Sequence, residues 1–111
     1  MRVLLRKVEG ASVALVTDDY SNTAELLPTR YDLFQYRGGV SWGYKGAGVQ
    51  NLSYAIAARM AEEVSFLSVD IHAAAKALVD NVLSSLDGDA EHDLSGAVLL
   101  KALPSGSWTQ F

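Results

Sequence analysis

Gly39-Val40-Ser41-Trp42-Gly43 has the G-x-S-x-G spacing of a serine nucleophile, and His72, His92 and several carboxylates follow it in the chain. In hydrolases that use this motif the serine sits on a sharp strand-to-helix corner, so a helix begins directly after it. Here Tyr44-Lys45-Gly46-Ala47-Gly48 intervenes before any helical period starts, and 111 residues are too few for the strands and helices of that fold. Five-residue patterns recur by chance. The pentad is read as coincidence, and no catalytic residue is assigned.

The same segment carries a second possibility. Gly43, Gly46 and Gly48 precede a helical pattern, and a helix N-terminus offers unpaired N–H groups and a partial positive charge to an anion. Lys45 would add a point charge. The known phosphate-binding patterns fail in detail: Asn51 stands where the dinucleotide fingerprint has its third glycine, and no Gly-Lys-Ser/Thr follows for a P-loop. The glycines therefore read as a tight strand-to-helix joint using conformations that residues with a Cβ resist. A ligand-binding loop is the alternative.

Asp87-Gly88-Asp89-Ala90-Glu91-His92-Asp93 places oxygen ligands at alternate positions, loosely like a calcium loop, but its glycine and glutamate are out of place for one. It reads as a solvated acidic linker. His72 lies beside an apolar stripe, and Asp70, Lys76 and Asp80 read as the wet face of the same helix. There are no cysteines, which removes disulfides, thiolate metal sites and cysteine nucleophiles. Neither a metal nor a cofactor is expected.

The elements that must position these residues change character midway. Arg2 to Val8 and Ala11 to Thr17 are β-prone runs around Glu9-Gly10, a hairpin pattern. Asp18 to Arg30 reads mostly as loop. Tyr31 to Tyr36 and Val40 to Tyr44 then read as a second hairpin about Arg37-Gly38-Gly39. From Gln50 the period becomes helical, with Leu52, Ala55, Ile56, Met60 and Val64 on one stripe. After a break capped by Ser68, Ile71, Ala74, Ala75, Leu78, Val79, Val82, Leu83 and Leu86 form a second stripe. Ser95 opens a last short helix to Leu103, with a strand over Ala97 to Leu100 as the other possibility. Strands first and helices after predict an α+β fold: a small N-terminal antiparallel sheet of about four strands, covered on one face by two or three C-terminal helices.

Composition bounds the rest. Length and a half-hydrophobic composition indicate one globular domain, 1–111. Net charge is −4, carried by the second half: residues 1–50 hold six Lys/Arg against five Asp/Glu, and 51–111 hold three against eight. That balance argues against a nucleic-acid footprint and suits either a basic partner or simple solubility. The charges in Met1 to Glu9 interrupt what a signal peptide needs as an apolar stretch, and no run approaches a membrane span. A cytoplasmic protein off the membrane is expected.

Trp42, Gly43, Tyr44, Gly46, Gly48, Leu52, Ala55 and Ile56 together match most of a W-G-Y-G-G-x-G-P-x-x-L-x-x-A-I signature. In this respect the chain resembles an uncharacterised domain family of small prokaryotic and phage proteins. Lys45 replaces a glycine of that signature, and Val49 replaces the proline that would open the helix. The resemblance covers about twenty of the 111 residues and implies an accessory protein of mobile elements. It carries no established activity. The expectation it supports is a non-enzymatic protein-binding module, an inhibitor of a host defence complex of the anti-CRISPR kind. A homo-oligomer is open. Trp42, Tyr44 and Lys45 are the expected contact residues, exposed aromatics being favoured anchors. A buried Trp42 would return that residue to the core. The alternative is a small-ligand or nucleotide-binding module on the backbone of Gly46 to Gly48.

Overall fold

The computed structural model of the chain describes residues 1–18, 22–63 and 70–104. Strands β1 (Arg2–Val8) and β2 (Ala11–Thr17) form the expected hairpin, with Val8 opposite Ala11. Glu9 and Gly10 both take positive φ, 52° and 81°, as a two-residue type I′ turn demands. A two-residue strand β3 (Glu25–Leu26) lines β2, and β4 (His92–Ser95) lines the other side of β1. The sheet is antiparallel throughout, in the order β3-β2-β1-β4.

Among the described residues three helices complete the α+β fold: α1 (Ala47–Glu63), α2 (Ile71–Asn81) and α3 (Gly96–Ala102), with a 3-10 turn at Leu83–Ser85. Alternation along the strands sends Val3, Leu5, Ala14, Val16 and Leu94 to one face, where they join Leu52, Ile56, Met60, Leu78 and Leu99 in a single core. Helix α1 is buried on nearly every side, because Ser53, Ala55, Ala57 and Ala58 let its neighbours close in. No helix among the described residues is long and apolar enough to cross a membrane.

The second hairpin does not form. Residues 31–33 make a turn in which Leu33 and Phe34 N–H both donate to Arg30 O, and Arg30 grips Asp32 through Nε and Nη2. The Phe34 ring stacks on Tyr54 of α1, centroids 5.4 Å apart and planes 8° from parallel. Phe34, of a residue type that favours strands in general, here spends its surface on a helix, and tertiary packing overrides propensity. The place beside β1 is taken instead by His92–Ser95, from the segment read as an acidic linker. Its acids are ties: Asp93 pairs with Arg6 at 2.7 Å, and Glu91 accepts from Lys7 N–H at 2.9 Å.

Helix ends follow local chemistry. Ser95 Oγ accepts from Val98 N–H and starts α3, so Ala97 to Leu100 is helix, not strand. Asp70 caps α2 by accepting from His72 N–H. The stripe over α2 ends earlier than its sequence pattern, at Asn81, whose side chain donates to Ala102 O. The expected cap Ser68 and stripe member Val64 lie outside the described residues.

Candidate functional site

Of the three residues expected at the surface, Trp42 is core. It is 2 % exposed, its indole N–H donates to Ala90 O at 3.0 Å, and Lys7 Nζ sits 4.7 Å above the ring centroid. A satisfied indole inside the core cannot anchor a partner. This corrects the expectation, and it ties the loop to the segment that becomes β4. Tyr44 remains exposed at 51 %, and Lys45 is open to solvent.

The glycines divide likewise. Gly43 alone of the three takes positive φ, 93°. Its N–H donates to Leu83 O, and a Cβ there would lie 2.6 Å from the backbone of Gly88. Two backbones meet at Gly43 and Gly88, and neither can withdraw. Gly48 lies within α1, and Gly46 immediately precedes it. A Cβ on Gly46 would meet the ring of exposed Tyr44, and one on Gly48 the hydroxyl of Ser41. The segment is a joint, and its demanding position is Gly43.

Residues 39–51 are closed by their own hydrogen bonds. Ser41 N–H donates to Gly48 O, Ser41 Oγ and Tyr44 OH share a bond of 2.8 Å, and Asn51 Nδ2 donates to Gly39 O at 2.7 Å. The buried Asn51 Oδ1 has no partner among the described residues; as an acceptor it repels an anion. The serine is not assembled with a base. His72 Nδ1 bonds Tyr54 OH at 2.7 Å, and His92 Nε2 lies 2.9 Å from Asp87 O.

What the structure does build is a groove of about 340 Å³ between α1 and α2. Gln50, Ser53 and Tyr54 share one face of α1. His72, Ala75, Lys76, Val79 and Asp80 recur at i, i+3, i+4, i+7 and i+8 on α2. Lys45 reaches in from the glycine segment. Small residues, Ser53, Ala75 and Val79, leave the room; long polar ones rim it. Asp80 is held between Lys76 (2.8 Å) and Lys45 (3.2 Å). Hydrogen bonds from Lys76 and then Lys45 keep its carboxyl below the usual carboxylate range. The Tyr54 ring, edge-on to His72 and stacked on Phe34, closes one side.

Sequence reasoning named Lys45 as a contact residue beside Trp42 and Tyr44, not as part of this groove, and missed Lys45, Gln50, Tyr54, His72, Lys76 and Asp80 as one constellation. The i, i+4 pair Lys76 and Asp80 and the small residues beside it were the readable signals. Tyr54 and Lys45 belong to the groove only through the way α1 crosses α2. The carboxylates of 87–93 do not converge, and among the described residues no cluster of three or more His, Cys, Asp or Glu could hold a metal ion. The arrangement offers cationic and hydrogen-bonding donors round a small, partly apolar floor. No family model, no curated protein and no solved structure matches the chain.

Proposed function

We infer that the protein is a non-enzymatic module that binds another protein, with the groove between α1 and α2 receiving a partner side chain and Tyr44 and Lys45 making contacts beside it. One observation carries the reading: a residue of the glycine segment, Lys45, forms the rim of a preformed groove together with both helices. Grooves of this kind bind through a few placed polar groups over an apolar floor, and exposed aromatic and cationic side chains beside a pocket are common energetic anchors. The engagement of Ser41, His72 and His92 with separate neighbours supports a binding role over hydrolysis. The resemblance of residues 42–56 to accessory proteins of mobile elements supports a host protein as partner and inhibition of a defence complex as the purpose.

A photo-crosslinking amino acid placed at Tyr44, in cells of the natural host, tests this. The expected result is one crosslinked protein that disappears with Lys45→Glu and is absent when the probe replaces Val98, an exposed position on α3. Identical products from both positions, or none from Tyr44, would refute it.

The two lysines and the Tyr54–His72 pair also support a second reading, a small anionic ligand in the same groove. A thermal-shift panel of nucleotides and phosphorylated metabolites separates the two, since a ligand at 100 times its Kd adds about 2.7 kcal/mol.

A further inference from the structure

Charge is unequal in the groove between α1 and α2. Asp80 Oδ1 lies 3.2 Å from Lys45 Nζ and Oδ2 lies 2.8 Å from Lys76 Nζ, so two ammonium groups share one carboxylate. Among the described residues no second acid lines the groove. Counting its lysines and its carboxylate, the rim carries one positive charge in excess. Helix α1 adds to the imbalance. It begins two residues after Lys45 and has no acid in its first turn, so the partial positive charge of its N-terminus stands without an acidic side chain on that turn. Asp70, at the opposite end of α2, is engaged as a cap by His72 N–H.

We propose that the side chain this groove takes from its partner is a glutamate with an apolar neighbour, the carboxylate set between Lys45 and Lys76. The inference rests on the reading of the groove as a protein-binding site and adds the chemistry of what enters it. An ammonium group carries three donors, so a lysine already held by Asp80 has donors left for a second carboxylate. Two cations and two carboxylates then balance. Asp80 also holds both lysines at the rim before any partner arrives, which lowers the ordering cost of binding.

The floor selects for the rest of the side chain. The Tyr54 ring, Ala75 and Val79 offer apolar surface to the methylenes of a glutamate. The volume, about 340 Å³, stands at the small end of the roughly 300–1,000 Å³ of ligand sites. That admits the glutamate together with the neighbouring apolar side chain, and excludes a whole helix. Net charge separates a single carboxylate from a polyanion. The chain carries −4, so an extended run of phosphates is repelled by the rest of the surface, whereas one carboxylate on a neutral or basic partner meets only the cationic rim.

Selection of displayed random dodecapeptides on the full chain, followed by amide NMR titration with the synthetic consensus peptide, tests the proposal. The expected consensus has a glutamate beside an apolar residue, and the peptide shifts the amides of Gln50, Ala75 and Val79. Glutamine in place of that glutamate weakens binding about tenfold, and Lys45→Gln and Lys76→Gln weaken it by roughly fivefold each, the upper end for exposed ion pairs. Both lysines are largely exposed, so these variants keep the fold, checked by circular dichroism. Lys101→Gln, on α3 and outside the groove, leaves the affinity unchanged. A consensus without an acid overturns the proposal, as does the absence of any consensus or an acidic peptide indifferent to both groove lysines. Inorganic phosphate that displaces the peptide at equal affinity assigns the groove to small anions and also overturns it. Crosslinking at Tyr44 reports whether a protein docks at all. A crosslinked partner without an acidic consensus therefore defeats this inference alone.

Discussion

At the scale of single residues, Gly43 and Trp42 decide the shape of the segment that the sequence marks as unusual. Gly43 combines positive φ with backbone contact against Gly88, two constraints that no side chain satisfies. Replacing it by alanine is expected to cost roughly 3 kcal/mol, from left-handed strain together with overpacking. Gly46→Ala, whose only obstacle is the movable ring of Tyr44, is expected to stay within about 1 kcal/mol of the parent. Urea unfolding of the two variants side by side checks this, and equal midpoints would contradict it. The residue types at 42–48 were legible as a joint. Which glycine bears the strain was not, because its constraint comes from Gly88, forty-five positions along the chain.

Among the elements, α1 and α2 owe their groove to Lys45, Lys76 and Asp80 at its edge and small residues at its floor. Asp80 is lowered from its ordinary 3.8 by its lysine partners. Its folded value lies below its unfolded one, so the ion pairs contribute fully above the ordinary value and are lost as pH falls through the lowered one. A carbon-13 titration of the Asp80 carboxyl is expected to show a midpoint below 3.8, moving up toward that value in Lys76→Ala. A midpoint above it in the parent chain would show that the lysines do not hold the carboxylate. The helices themselves were readable from the spacing of Leu52, Ala55, Ile56 and Met60 and of Ala74, Ala75, Leu78 and Val79, all buried. The second hairpin was misread because Tyr31, Phe34 and Tyr36 carry strand propensity without a strand to pair with.

For the whole molecule, the consequential feature is β1, which pairs with β2 across a two-residue turn and with β4 from the far end of the chain. The halves are therefore interdependent. A fragment ending at Asn81 keeps the first hairpin and both long helices but loses β4, α3 and the acceptor of the Trp42 indole. It is expected to lack the dispersed amide spectrum of a folded domain, while residues 1–104 keep it. A cooperatively folded 1–81 fragment would show that β4 is an accessory edge.

By itself the sequence determined the α+β class, the first hairpin with its Glu9-Gly10 turn, the faces of α1 and α2 and the Ser95 cap. Each is written in spacing or in a residue's bond to a near neighbour. Only the tertiary structure decided that Trp42 is core, that His92–Ser95 is a strand, and that Lys45, Tyr54 and Asp80 share one groove. Those outcomes depend on contacts between residues far apart in the chain, such as the Trp42 indole on Ala90 and the arginine of β1 on Asp93. A local pattern records what a residue prefers; the geometry of distant partners selects which preference is met.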